Sequence, residues 1–308
     1  MIKTTFGKTG FQVSALGFGA APAAFLKAER DALAALLNRM LDSGVNLIDT
    51  AAMYPGSEAF LGEYFSSRRG QFVLVSKCGG KIPDLAGEPW TASYVTAQVE
   101  RALTLLKTDV IDVMLLHSCD LETLKKGEAL GALVEARDAG KIRFVGYSGD
   151  NEAAAYAAAL DDIAVIETSI NIVDQRNIDV VLPVCVENNV GVLAKRPIAN
   201  ACWKDLSQQQ GLYKTYAKTY TERFAQLGLT PKDLGFDGPP ETAWPEIALR
   251  FTLSQPGVHC AIVGTTKWSS FEANLAAVKK GPLPSDVIAK LRAAFRKADP
   301  KGEWLGQT

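Results

Sequence analysis

Short apolar runs alternate with longer amphipathic segments along the whole chain. The short runs are VSALGFG, NLIDT, FVLVSK, DVMLLH, RFVGYS, AVIETS, GVLAKR and CAIVG. Each is nearly continuous in apolar residues, the pattern of parallel strands covered on both faces. The segments between them, rich in Ala, Leu, Glu and Arg, read as helices. KAERDALAALLNRMLDSG ends in Gly44, a C-cap signal, TASYVTAQVERALTLLK opens with Thr91, an N-cap signal, and GALVEARDAGK again stops at a glycine. Eight strand–helix units in a chain of 308 residues predict a closed (β/α)8 TIM barrel, an α/β fold, rather than an open sheet.

Two stretches break the rhythm. The opening MIKTTFGKTGFQVS places Lys8-Thr9-Gly10 between two strand-like pieces, which predicts an N-terminal β-hairpin capping the barrel floor. Between the seventh and eighth strands lies an insertion of about 197–259, carrying Trp203, Tyr213, Tyr216, Tyr220, Phe224 and Trp244. PEIALRFTLSQPG within it is helical, whereas 199–243 reads mostly as loop and short helix. Long insertions of this kind are usually functional or mobile. The expectation is one barrel domain over 1–308 with a short C-terminal tail, 298–308.

Composition narrows the function. Hydrophobic residues make up 47% and charged residues 22%, ample for a core, and the net charge of -1 gives no bulk attraction to nucleic acid or anionic membrane. Cys78, Cys119, Cys185, Cys202 and Cys260 are scattered, odd in number and without a CxxC pair. That argues against a disulfide framework or a structural metal site and fits a reducing cytoplasm. MIKTTFGKTG lacks the apolar run of a signal peptide, and no window has the apolar length that spans a bilayer. A cytoplasmic protein acting on a small molecule is expected.

Barrel chemistry is built at the carboxyl ends of the strands. The second strand ends in Asp49, the third in Lys77, the fourth in His117, and Tyr54 follows five residues after Asp49 beside a Pro55-Gly56 turn. The fifth ends in Ser148, the sixth near Glu167 and Thr168, the seventh in Lys195-Arg196, and the eighth in Gly264-Thr265-Thr266-Lys267. Of the two histidines, His259 precedes its strand and belongs at the opposite rim. Any one polar strand end is explained by the chain returning to water. An acid, a phenol, an amine and an imidazole converging from neighbouring strands is a set with chemistry. An ammonium favours the phenolate form of a nearby tyrosine, a carboxylate keeps that ammonium charged, and a histidine can bond a substrate oxygen. Together they make a general acid aimed at a carbonyl, with stabilisation of the developing alkoxide. The hydride has to come from a cofactor.

LGFG at Leu16–Gly19, NLIDTAAMYPGSE, VSKCGG, DVMLLHSCD, GKIRFVGYSG and IVGTTKWSSFEAN, in this order, make the chain resemble the aldo-keto reductases over essentially its whole length. The resemblance implies a catalytic tetrad of Asp49, Tyr54, Lys77 and His117, with Tyr54 as proton donor, Asp49 holding Lys77 and Lys77 tuning Tyr54. It also implies a nicotinamide cofactor extended across the barrel mouth.

Cofactor positions carry over one at a time from the same resemblance. Gly19 and Ala20 are where close backbone approach to the nicotinamide is expected, with Asp49 beside it. Ser148 matches the serine that bonds the carboxamide, but Gly149 stands where Asn is common and Glu167 where Gln is usual. Lys195 replaces the aromatic ring that stacks on the nicotinamide in many members. Gly264, Thr265, Thr266 and Lys267 resemble the loop that meets the adenosine ribose phosphate, and Asn274 matches an adenine contact. Ser270 occupies the position of an Arg that grips the 2′-phosphate, which leaves Lys267 as the cation there. NADP(H) follows from family habit, and NAD(H) stays open. The substrate implied is a small carbonyl compound or its alcohol, with no metal. A cofactor-binding regulatory subunit, or an aldolase using Lys77 or Lys195 as a Schiff base, are the readings from other classes.

Overall fold

The computed structural model describes residues 1–25, 29–208 and 213–307. A short hairpin, β1 (Lys3–Thr5) and β2 (Gln12–Ser14), comes first. Eight parallel strands then close a barrel: β3 (Leu16–Gly19), β4 (Leu47–Asp49), β5 (Val73–Cys78), β6 (Ile111–His117), β7 (Ile142–Ser148), β8 (Ile163–Ser169), β9 (Gly191–Lys195) and β10 (Cys260–Val263). They follow one another in chain order, and β10 pairs with β3 to complete the ring. Each of the eight apolar runs supplies one strand.

Strand parity sorts the side chains into two cores. Leu16, Phe18, Ile48, Leu74, Met114, Leu116, Val145, Ile166, Val192 and Ala261 face outward and join the apolar layer under the surrounding helices. The alternate positions Leu47, Val73, Val75, Val113, Leu115, Val165, Leu193, Cys260 and Ile262 fill the barrel interior. Phe6, from the turn of the hairpin, belongs to that inner cluster and plugs the floor. Gly7 beside it has φ +50, and a Cβ there would fall 2.3 Å from Gly191 N, so only glycine lets the hairpin seat this deeply.

The helices mostly end as the sequence signals. Arg30–Asp42 terminates at Ser43, with Gly44 at φ +97, and Glu128–Asp138 is followed by Gly140 at φ +74. The start expected near Lys27 falls on 26–28, outside the described residues. Thr91 is the N-cap residue of Ala92–Leu106 without a side-chain capping bond; its hydroxyl donates instead to Glu88 O at 2.8 Å, and Glu128 Oε1 accepts from the Ala92 N–H at 2.8 Å.

The expected helix of PEIALRFTLSQPG is present, as Pro240–Leu253, but 199–243 is less loop-like than expected. It contains a helix at Tyr213–Leu227 and a 3-10 turn at Pro231–Leu234 capped by Thr230. The aromatic spacing explains the longer first helix. Tyr213, Tyr216, Tyr220, Phe224 and Leu227 recur at intervals of three and four, one helical stripe. Tyr220 is buried on it, and Phe224 meets Trp244 edge-on with ring centroids 4.9 Å apart. The side chains of Tyr213 and Tyr216 lie outside the described residues.

The C-terminal segment runs back over the strand ends. Trp304 packs edge-on against Phe295 at 5.3 Å, Asn151 Oδ1 accepts from Gly306 N at 2.8 Å, and Asp174 Oδ2 accepts from Gln307 N at 3.1 Å. No helix among the described residues is long and apolar enough to cross a membrane.

Candidate active site

The inward parity that fills the barrel with Leu47, Val75 and Leu115 continues upward to Asp49, Lys77 and His117, one step of two residues further along β4, β5 and β6. On β7, β8 and β9 the same continuation brings Ser148, Glu167 and Lys195 to the mouth. Pattern alone thus gathers the polar strand ends around one axis.

Lys77 is the centre of this layer and is fully buried. Its Nζ donates to Asp49 Oδ1 and, at 3.0 Å, to Thr50 O, and lies 3.2 Å from Glu167 Oε2. Burial alone would pull the ammonium down. Asp49, Glu167 and Tyr54 more than reverse that, and Lys77 stays above the ordinary lysine range. Burial, then the charge of Glu167, raises Asp49 well above the usual carboxylate range against the pull of Lys77. With two carboxylates facing one ammonium, Asp49 takes up a proton readily on acidification.

Tyr54 sits on the loop after β4, with Lys77 Nζ 5.3 Å from its ring centroid and the His117 ring edge-on at 6.1 Å. Phe25 meets the same ring at 5.6 Å. The loop is held from outside the barrel. The Thr50 and Ser57 hydroxyls bond each other at 2.8 Å, Ser76 Oγ donates to Glu58 Oε1 at 2.8 Å, and Arg101 Nη1 donates to Glu58 Oε2 at 2.9 Å. Ser76 is the outward neighbour of Lys77 on β5, so the glutamate ending PGSE ties the tyrosine loop to the lysine strand.

Burial, Lys77, Lys195 and Arg196 hold His117 well below the ordinary histidine value. It is a neutral imidazole at neutral pH. Its Nδ1 is buried and has no hydrogen-bond partner among the described residues. His259 lies at the other rim, where its Nδ1 accepts from Val192 N at 3.0 Å and its ring meets Phe6 edge-on at 5.7 Å.

Lys195 does not stand alone. Asp150 Oδ2 is 2.9 Å from its Nζ, while Asp150 Oδ1 accepts from Thr168 Oγ1, Ser169 N and Asn177 Nδ2 at 2.9, 2.7 and 2.7 Å. Arg196 donates to Ser169 Oγ at 2.9 Å and to Gln307 O. Asp150 was not singled out in the sequence. Its signal was available, an acid two residues past the strand-ending Ser148, but its partner lies 45 positions away and only the fold joins them.

The remaining candidate residues form a second stretch of rim. Gly19 ends β3 so close to β10 that a Cβ would lie 2.7 Å from Ile262 Cγ2, and the Ala20 N–H donates to Asp49 O at 2.8 Å. Gly264, Thr266, Lys267 and Ser270 are exposed after β10; Thr265 Oγ1 accepts from Lys267 N at 3.1 Å, and Asn274 is buried on the helix Trp268–Lys279. The donor set from Ser148 to Asn274, with glycine at 19, 149 and 264, fits an extended dinucleotide. The poorest match is at Lys195, a paired cation in place of a flat stacking wall, beside the departures at Gly149, Glu167 and Ser270. No group of His, Cys, Asp and Glu able to hold a metal occurs among the described residues.

A model of the Aldo/keto reductase family matches residues 15–296. The chain belongs to this family. As an aldo-keto reductase it is an oxidoreductase with a nicotinamide cofactor. It is 26% identical to the uncharacterized oxidoreductase YqkF of Bacillus subtilis (strain 168), covering 95% of this chain and 96% of that one. It is also 26% identical to the L-galactose dehydrogenase of Arabidopsis thaliana, covering 88% and 86% of the two chains. The holo form of aldo-keto reductase AKR11C1 from Bacillus halodurans superposes with a TM-score of 0.79 at 23% identity, over 96% of each chain, and so shares the fold.

Proposed function

We propose that the chain is an NADP(H)-preferring oxidoreductase that reduces an aldehyde or ketone, or oxidises the corresponding alcohol or sugar, with Tyr54 as the proton donor. The observation that carries this reading is the buried Lys77, held by carboxylates and 5.3 Å from the centre of the Tyr54 ring at the barrel mouth. Bound there, the reduced nicotinamide supplies the hydride. Tyr54 gives its proton to the carbonyl oxygen, Lys77 stabilises the phenolate left behind, and neutral His117 bonds and orients the same oxygen. Ser148 and Asn274 would hold the two ends of the cofactor, and Thr265, Thr266 and Lys267 the adenosine ribose between them.

Lys77 is a poor Schiff-base nucleophile, because its neighbours keep it protonated. Similarity to an enzyme named for L-galactose puts sugars on the panel of test substrates. The test is consumption of NADPH and NADH with aldehydes and ketones, and production of both with alcohols and sugars. Turnover that depends on Tyr54 supports the reading. Tight cofactor binding without turnover of any carbonyl would favour a regulatory subunit instead.

A further inference from the structure

Lys77 has a counter-ion on the far wall of the barrel as well as on the adjacent strand. Asp49 comes from β4, next to β5, but Glu167 comes from β8, three strands away in the other direction. Its Oε2 reaches to 3.2 Å from Lys77 Nζ, is buried, and takes no hydrogen bond among the described residues. A carboxylate removed from water needs a cation or donors facing it. The charged and titratable groups around this centre are Asp49 on β4, Tyr54 after it, Lys77 on β5, His117 on β6, Asp150 after β7, Glu167 on β8, Lys195 and Arg196 at the end of β9, and the Cys260 thiol on β10, raised by burial and by Asp49. Lys195 is engaged by Asp150 at 2.9 Å, and Arg196 by Ser169 and the Gln307 carbonyl. Lys77 is the cation that meets Glu167.

We propose that Glu167 is a positioning residue, a second counter-ion that keeps Lys77 charged and in place beside Tyr54 when Asp49 is neutral. The inference rests on the reading of Lys77 as the cation that stabilises the Tyr54 phenolate. With a single counter-ion, neutralising Asp49 would leave a buried ammonium unpaired, and it would shed its proton. Here Glu167 Oε2 faces the same ammonium at 3.2 Å. The direction of the Asp49 titration is consistent with this: burial and Glu167 both favour its protonated form. The cation next to the tyrosine then survives the protonation of Asp49.

The test compares Asp49→Asn, Glu167→Gln, the double variant and Lys77→Met. Tyr54 is followed by its near-ultraviolet phenolate absorbance, taken as the difference from the same protein carrying Tyr54→Phe, alongside the pH profile of kcat/KM. Each single carboxylate variant is expected to move the Tyr54 midpoint by no more than about one pH unit, tenfold in proton affinity. The double variant should raise it further than either single variant. Should the double variant fail to fold, Asp49→Asn against Lys77→Met decides alone. The inference is overturned if Asp49→Asn raises the midpoint as far as Lys77→Met, or if Asp49→Asn and the double variant titrate together. The absorbance needs no substrate, so the two readings fail separately. The expected titrations without any turnover would sink the proposed reaction, and Tyr54-dependent turnover with unexpected titrations would sink the pairing.

Discussion

Asp150 Oδ2 lies 2.9 Å from Lys195 Nζ, with the Asp150 side chain fully enclosed and its other oxygen accepting from Thr168, Ser169 and Asn177. This one carboxylate ties β8, β9 and the helix Arg176–Val180 together at the mouth. Burial would push it up, but Lys195, the Ser169 N–H and Arg196 hold it below the usual carboxylate range. Asp150→Ala strands a buried ammonium and several donors, and should cost about 3–5 kcal/mol of stability. A lowered carboxylate value gives stability that is present above the unfolded value and lost as pH falls through the folded one. Asp150→Asn should therefore lose less at acid pH than at neutral pH. Urea unfolding at both pH values checks this; a loss below about 1 kcal/mol for Asp150→Ala would mean that the rim does not depend on the pair.

Lys77→Met should abolish turnover by ~10^3 or more, because it removes the charge beside Tyr54 and leaves Asp49 and Glu167 facing each other. Tyr54→Phe should match that loss with less effect on cofactor affinity. Steady-state rates and cofactor titration of both variants separate the roles. Near-normal rates for Tyr54→Phe at neutral pH would refute the proton-donor assignment.

His117→Ala and His259→Ala should behave oppositely. In the proposed reaction His117, edge-on to Tyr54 at 6.1 Å, bonds the carbonyl oxygen, and its loss should lower kcat/KM by ~10^2 or more. His259 accepts from Val192 N at the floor, so its removal should cost about 1–3 kcal/mol of stability and leave kcat/KM nearly unchanged. Thermal unfolding and kinetics on both proteins decide it. Since His117 is held well below its ordinary value, the pH profile should show no histidine transition near neutrality.

Asp174 gives the C-terminal segment a pH dependence. Its Oδ2 accepts from Tyr220 OH at 2.7 Å and Gln307 N at 3.1 Å. Burial, then the charge of Asp150, pushes its carboxyl up to about 7 against those two bonds and Arg223. A raised value gives stability that is full below the unfolded value, near 4, and lost as pH rises through about 7. Asp174→Asn should thus gain on the parent between pH 4 and 8, by roughly 2–4 kcal/mol. Parallel unfolding of the two proteins at those limits tests the sign. A constant difference would show that Asp174 does not titrate with folding.

Much of this arrangement was legible in the chain. An inward Leu47 dictates an inward Asp49, an inward Val75 an inward Lys77, and an inward Leu115 an inward His117, because side chains alternate on a strand. Position before or after an apolar run likewise separated the two histidines. What could not be read were contacts whose partners are distant in sequence and equally spaced for other roles. Glu167 reads in the sequence as a cofactor contact alone, and only closure of the barrel brings its Oε2 to Lys77 as well. Gln307 meets Asp174 from 133 residues away, and no local pattern marks either one for the other. The helix Tyr213–Leu227 differs in kind: its Thr and Tyr residues have modest helix propensity, so 199–243 reads mostly as loop and short helix, while the aromatic positions recur at helical intervals.

Cofactor choice turns on the loop after β10. Lys267 is exposed at the N-cap of the helix Trp268–Lys279, and Ser270 stands on its first turn, at the position where the family resemblance implies an arginine that grips a 2′-phosphate. If Lys267 is the chief contact to that phosphate, Lys267→Ala should weaken NADPH binding and leave NADH nearly untouched. A hydrogen bond to a charged group contributes about 1.5–3 kcal/mol, so the loss should be roughly ten- to hundredfold. Lysine is a point charge without the fork of a guanidinium, so the parent's preference for NADPH should be modest. Ser270→Arg should increase it, through two parallel bonds to the phosphate. Dissociation constants of both cofactors, by fluorescence quenching at one salt concentration, test all three proteins. Equal weakening of both cofactors by Lys267→Ala would refute the contact. A parent that binds NADH tightly and NADPH hardly at all would instead make Thr265, Thr266 and Ser270 hydroxyl partners of an unphosphorylated ribose.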